Sequence, residues 1–128
     1  MKLKAGEIKG ILESIAGMKD INLPVKTAYY LARASSKLEG EGKAFESSRL
    51  RLLNRYGKKN EAGELITSKE GQVEFDDFNA FVPEFEELVS QEIDVDIEKI
   101  KIDQLEDKDG RTLISSSIIA GLLPILDD

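Results

Sequence analysis

From residue 5 onward the apolar positions fall at helical spacing. Ile8, Ile11, Leu12 and Ile15 recur through AGEIKGILESIAGM and predict a helix over residues 5–18. Two glycines inside it cost roughly 1 kcal/mol each relative to alanine, so the helix is expected to survive by packing on a neighbour. KDINLP interrupts the pattern, with Pro24 as the stop. A second, longer helix is predicted from Val25 to Tyr56. Leu31, Leu38, Phe45 and Leu52 recur every seven residues in it, and Ala28, Ala34, Leu53 and Tyr56 widen the stripe. At 1.5 Å per residue it runs about 48 Å. Gly40 and Gly42, in LEGEGK, mark a place to kink or to admit a close neighbour. Gly57 suits a left-handed residue that closes the helix. The two helices together predict an antiparallel hairpin, partly coiled-coil-like.

Beyond Tyr56 the periods shorten. GKKNEAGE reads as a loop, and ELITSKEGQVEF as a β-hairpin with Val73 and Phe75 on one face. DDFNAFVPEFEELVSQ predicts a third helix whose apolar side is Phe78, Phe81, Val82, Phe85, Leu88 and Val89. Pro83 fits only a first turn, which places the regular helix near Asn79. Ile93, Val95 and Ile97 then alternate with Asp94, Asp96 and Glu98, the period of a half-buried strand. Ile100 and Ile102 continue on the other parity, which marks a bulge or a strand end. DKDG at 107–110 predicts a turn. RTLISSSIIAGLLPIL predicts a last helix carrying Leu113, Ile114, Ile118, Leu122 and Leu123 and ending before Pro124. No internal repeat or low-complexity linker is evident. The pattern predicts a helix-rich α+β fold in one domain over 1–128. A helical hairpin occupies 1–57, and a small acidic module of β-hairpin, strand and helix occupies 58–128.

Composition removes much chemistry. There is no cysteine and no histidine, so thiolate sites, the commonest general base and the commonest transition-metal ligand are missing. Residues 91–109 carry eight acids in nineteen positions. Acids at alternate strand positions stand roughly 6.6 Å apart and point in parallel, whereas a calcium ion needs oxygens converging at about 2.4 Å. Setting Asp107, Asp109 and Gly110 at positions 3, 5 and 6 of a calcium loop puts Leu105 and Ser116 where acids are required. The plain reading is a solvated acidic face that guards a strand edge. Phosphate-binding glycine loops and nucleophile elbows are absent from the sequence. No catalytic or metal-ligating residue is therefore singled out, and no cofactor is expected. No apolar run approaches the roughly 20 residues of a bilayer span, and MKLKAGEIKG lacks the apolar core of a signal peptide. A cytosolic location is the expectation.

The net charge of −7 conceals a polarity. Residues 1–59 hold 13 Lys/Arg against 6 Asp/Glu, and residues 60–128 hold 5 against 19. RLRLLNRYGKK concentrates Arg49, Arg51, Arg55, Tyr56 and Lys58 at the end of the long helix, where cations also complement the macrodipole. Asp94, Asp96 and Glu98 provide the opposite sign. Such halves can dock within one chain, head to tail between chains, or onto a charged partner. Leu31, Leu38, Phe45 and Leu52 would carry a seam between copies if the hairpin self-associates, although packing on the first helix is their ordinary use.

MKLKAGEI, LPVK, RLRLLNRYGKKNEAGE, GQVEFDDFNAFVPEFEEL and EIDVDIEKIKIDQLED, taken in order, resemble a family of small phage and prophage proteins of Gram-positive bacteria. The resemblance brings no catalytic residues. It implies a viral protein acting by contact in a bacterial host's cytoplasm, with association with the virion as a further location. The expected function is a non-enzymatic interaction protein that contacts a host factor or a phage assembly protein. The alternative is a structural virion or tail-assembly component that self-associates through the hairpin. A metal-dependent enzyme built on Asp94, Asp96 and Glu98 is the distant third. Neither nucleic acid nor membrane is the expected partner.

Overall fold

Ile8 and Ile11 lie on the helix that the other helices pack against. In the computed structural model, which describes residues 1–106 and 114–127, α1 spans Ala5–Gly17 and touches α2, α3 and α4. Its first turn is held by Glu7, whose carboxylate accepts from the Lys4 backbone N–H at 3.3 Å. The long helix α2 (Val25–Tyr56) returns antiparallel along it without a break. The glycine-rich stretch does not kink it. A Cβ on Gly42 would stand 2.9 Å from Leu12 Cδ1, so this glycine serves close helix contact instead. Ile8, Ile11, Leu38, Leu105, Leu122 and Ile125 are fully buried in one cluster. Each contributes roughly 1.5–3 kcal/mol relative to an exposed side chain.

The helix α3 (Phe78–Val89) lies beside the C-terminal part of α2. Asp77 caps it, its side chain accepting from Ala80 N–H at 3.1 Å. That cap starts the helix at Phe78, one residue from the expected start near Asn79, and leaves Pro83 in the second turn instead of the first. The missing proline N–H would have met the carbonyl of Asn79, an exposed residue. Phe78 also departs from the expected apolar side, being exposed while Phe81 is buried.

The acidic segment forms less strand than its alternation predicts. β2 is Glu92–Asp94 alone, and the chain bends at Asp96. Val95, Ile97 and Ile100 still reach the core. β2 pairs antiparallel with β1 (Lys2–Lys4), placing Lys2 opposite Asp94, Leu3 opposite Ile93 and Lys4 opposite Glu92. The ladder thus sets opposite charges across from each other and buries Leu3 beneath. β3 (Ile100–Lys101) pairs parallel with β4 (Leu126–Asp127). A 3-10 turn, Ile102–Leu105, follows β3 and is pinned to α2 where Thr27 Oγ1 donates to the Gln104 carbonyl at 2.9 Å.

The last helix, α4 (Ser116–Leu122), crosses α1. It ends before Pro124, as expected; a 3-10 turn containing Pro124 follows and turns Leu123 outward instead of into the core. The DKDG turn expected at 107–110 and the apolar position Leu113 lie outside the described residues.

Residues 57–76 hold a repeat that the sequence pattern did not disclose. Lys58 N–H donates to the Glu74 carbonyl, Ile66 N–H to Lys58, and Glu74 N–H to Ile66, at 2.8, 2.9 and 3.0 Å. Three extended segments eight residues apart therefore close a ring. The two intervening turns match. Asn60 N–H donates to Glu64 and Ser68 N–H to Gln72, with Gly63 and Gly71 both near φ +80°. The expected hairpin is two sides of this ring, bridged at Thr67 and Val73, and GKKNEAGE supplies the third. Gly57 occupies the place that Leu65 and Val73 take in the other segments. It is extended, with φ −75°, not left-handed. Glycine is needed there for space, since a Cβ would collide with the Leu53 carbonyl and Leu65.

Two glycine substitutions are expected to act in opposite directions. At Gly121 a Cβ would run into Ser14 Oγ and stand 2.8 Å from the Gly10 carbonyl. Gly121→Ala is expected to cost about 1–3 kcal/mol by overpacking. Gly40 has open space around it, and Gly40→Ala is expected to stabilise by about 1 kcal/mol. Thermal unfolding followed by circular dichroism reads both, and a rise in Tm for Gly121→Ala would contradict the crossing.

Candidate interaction surface

The basic end of α2 does not stand alone. Ser48, Arg51, Leu52 and Arg55 form one wall of a shallow groove, and Glu84, Glu87, Leu88 and Gln91 form the other. The antiparallel course of α2 and α3 brings the walls together: Arg51 and Arg55 share a face at i,i+4, Glu84 and Glu87 at i,i+3. Arg55 Nη1 lies 3.6 Å from Glu84 Oε2, and that oxygen is enclosed. Leu52 and Leu88, both half-buried, supply the apolar part. Arg51 makes no ion pair among the described residues, so its guanidinium remains available to a partner.

The other basic candidates divide. Arg49 is turned to its own helix. Its Nε donates to Glu46 Oε2 at 2.9 Å and Nη2 meets Oε1, which holds the Glu46 carboxyl below its ordinary value. Tyr56 sets its ring edge-on to Phe81 with centroids 6.4 Å apart. Its hydroxyl is drawn to the Glu84 carboxylate, which raises its pKa, and burial adds to the rise. Lys58 has left the helix and lies exposed on the first segment of the ring.

Asp94, Asp96 and Glu98 are not gathered. Asp94 Oδ1 lies 3.4 Å from the Met1 amine, with its side chain largely exposed. Asp96 faces Lys37, whose Nζ is 3.4 Å from Oδ2 and donates to the Asp96 carbonyl at 2.6 Å. Glu98 bears on the Tyr30 hydroxyl. The bend at Asp96 separates the three because the strand ends before they could line one face. Among the described residues no three carboxylates are placed to hold a metal ion. No described helix is long and apolar enough to cross a membrane.

The contemplated seam is consumed inside the chain. Leu31, Leu38 and Phe45 are buried, Leu38 completely, and Leu52 is half-buried beside the groove. Little of the first three side chains is left exposed for a second copy. Sequence reasoning missed Glu84 and Glu87 as the acidic wall. Their i,i+3 spacing on a helix facing two arginines was the available sign.

Comparison with protein-family models, with curated proteins and with solved structures finds no match.

Tyr30 gives this region a stability test. Its hydroxyl is buried with no hydrogen-bond partner among the described residues, a situation that costs on the order of 1 kcal/mol or more. Burial first, and Glu98 second, push its pKa up. A raised folded-state pKa means that stability present below the unfolded-state value is lost as pH climbs through the folded one. Tyr30→Phe is expected to raise Tm near neutrality and to lessen the loss of stability at alkaline pH. An unchanged alkaline unfolding profile would contradict this.

Proposed function

We propose that this protein acts without catalysis, as a phage-encoded interaction protein that contacts a host factor or a phage assembly protein in the cytoplasm of a bacterial host. The observation that carries the reading is the groove between α2 and α3, where Arg51 is left without an ion-pair partner among the described residues beside an acidic wall and two half-buried leucines. Such a surface offers cations, anions and apolar area within a few residues, the makings of protein recognition. Charge complementarity there would steer encounter and fix register more than add affinity. The phage setting rests on the sequence resemblance.

The test is affinity capture from host extract or from a phage lysate, with wild-type protein and with Arg51→Glu. Arg51 is the better probe than Arg55 because reversing it leaves the Arg55–Glu84 contact in place. The expected result is a defined partner that Arg51→Glu loses while the circular dichroism spectrum and Tm stay unchanged. Capture that survives the reversal would remove the groove from the contact.

A further inference from the structure

The two ends of α2 carry surfaces of opposite character. At the N-terminal end Val25 is 85% and Tyr29 65% exposed, one turn apart on the outward face. Residues 21–38 contain Lys26, Arg33 and Lys37 and no acid. Lys37 is engaged by Asp96 and Glu98 bears on the neighbouring Tyr30, which offsets part of this charge, while Arg33 sits over the Tyr29 ring at 5.8 Å. Lys26 and Arg33 therefore set the charge around an exposed aliphatic and aromatic pair.

At the C-terminal end Phe78 is 56% exposed. It is braced from behind by Phe75 and Phe81, with ring centroids at 5.3 and 6.1 Å. Residues 70–78 contain Glu70, Glu74, Asp76 and Asp77 and no base. Lys58, joined to Glu74 by a backbone hydrogen bond, offsets part of this charge. Asp76 and Asp77 remain beside Phe78, and neither forms an ion pair among the described residues. A braced aromatic knob with an acidic collar is the complement of an exposed Val–Tyr pair with a basic collar. About 48 Å of helix separates the two, so they cannot meet within one molecule.

We propose that copies of this chain associate head to tail. Phe78 of one copy packs between Val25 and Tyr29 of the next, and Asp76 and Asp77 face the Lys26 and Arg33 of that neighbour. The partner is a second copy because one chain carries both halves of the contact, matched in polarity and in aromatic character. The contact is heterologous: it joins a different face of each copy and leaves one face free at either end, so assembly proceeds until a ring closes or the chain extends. This goes beyond the proposed contact through the α2–α3 groove, which lies on neither surface.

Sedimentation of the wild-type protein over a range of concentration and salt tests it. The expected result is reversible, concentration-dependent assembly that weakens as salt rises. Tyr29→Glu destroys the basic face and Phe78→Lys the acidic one. Both sites are exposed, and circular dichroism checks that the fold persists. Each variant alone is expected to lose self-association by at least about tenfold. Mixed in equal amounts, the two retain one intact pair of faces and are expected to form a 1:1 dimer that grows no further. A wild-type protein that stays monomeric, a mixture that stays monomeric while the wild type assembles, or variants that assemble like the wild type would each overturn the proposal. Binding of a foreign protein at either face with no self-association overturns it as well. Loss of Arg51-dependent capture leaves this assembly unaffected, so the two readings fail separately.

Discussion

Gly121 lacks a side chain because Ser14 and the Gly10 carbonyl fill the space one would need. That crossing lets α4 lie against α1, and much follows from it. With α4 seated, Leu122 and Ile125 reach the centre of the core, and β4 comes alongside β3. β3 in turn carries Ile100 inward and leads into the 3-10 turn that Thr27 ties to α2. A two-residue parallel pair has almost no stability of its own. It persists because the helices on either side are already held by apolar burial, and a crossing a methyl group wider would loosen Leu122, Ile125 and the pair together.

The charge polarity of the sequence is partly spent within the molecule. Lys2 and Lys4 stand across from Asp94 and Glu92, Lys37 meets Asp96, and Arg55 meets Glu84. Each pair joins the basic first half to the acidic second half. None is deeply buried, so each contributes at most about 1 kcal/mol. Their effect is on register more than on stability. A slip of two residues toward Ser90 would keep Leu3 on the buried face but set Lys4 opposite Ser90 and lose one charge pairing, whereas a slip the other way would carry Lys2 opposite Asp96, where the chain bends.

The helices were legible because their apolar positions repeat at a helical period and their ends carry breakers. Leu31, Leu38 and Phe45 sit in the core as a seven-residue stripe should. Local pairing was less legible. MKLK reads as a polar lead-in to α1, and only β2, ninety residues away, makes a strand of it. The ring at 57–76 was hidden for a different reason. Its repeat lies in backbone hydrogen bonds and two glycine turns, while the side chains at equivalent places differ: Gly57, Leu65 and Val73 have little in common but position. The acidic segment misled through its regularity. Alternation predicts which side chains go inward, and Val95 and Ile97 do. It does not require a long ladder: past Asp94, Val95 still exchanges backbone hydrogen bonds with Met1, and the chain then bends at Asp96. Of the candidate site, Arg51 and Arg55 were visible as a basic helix end, whereas the wall of Glu84 and Glu87 depended on how α3 folds back.

That fold-back is the work of the ring. α2 ends at Tyr56, and α3 must start within reach of it and run the opposite way. An open loop of some twenty residues would meet the geometry at a high entropic cost and leave the start of α3 mobile. Three cyclic hydrogen bonds and two rigid turns fix it instead: Asp76 N–H donates to the Tyr56 carbonyl at 3.3 Å, so the exit of the ring is bonded to its start. Phe75 leaves the ring pointing at Phe81, and the aromatic stack continues through Phe85 down α3. Phe78 is thereby held at the tip with its rings behind it, while α2 holds Tyr29 at the far end of a stiff rod. A helix of this length with a flexible tip would present its two ends at variable angles. Because the tip is closed by backbone bonding, the direction between the two exposed aromatic sites is set by the fold, as a repeating head-to-tail contact requires.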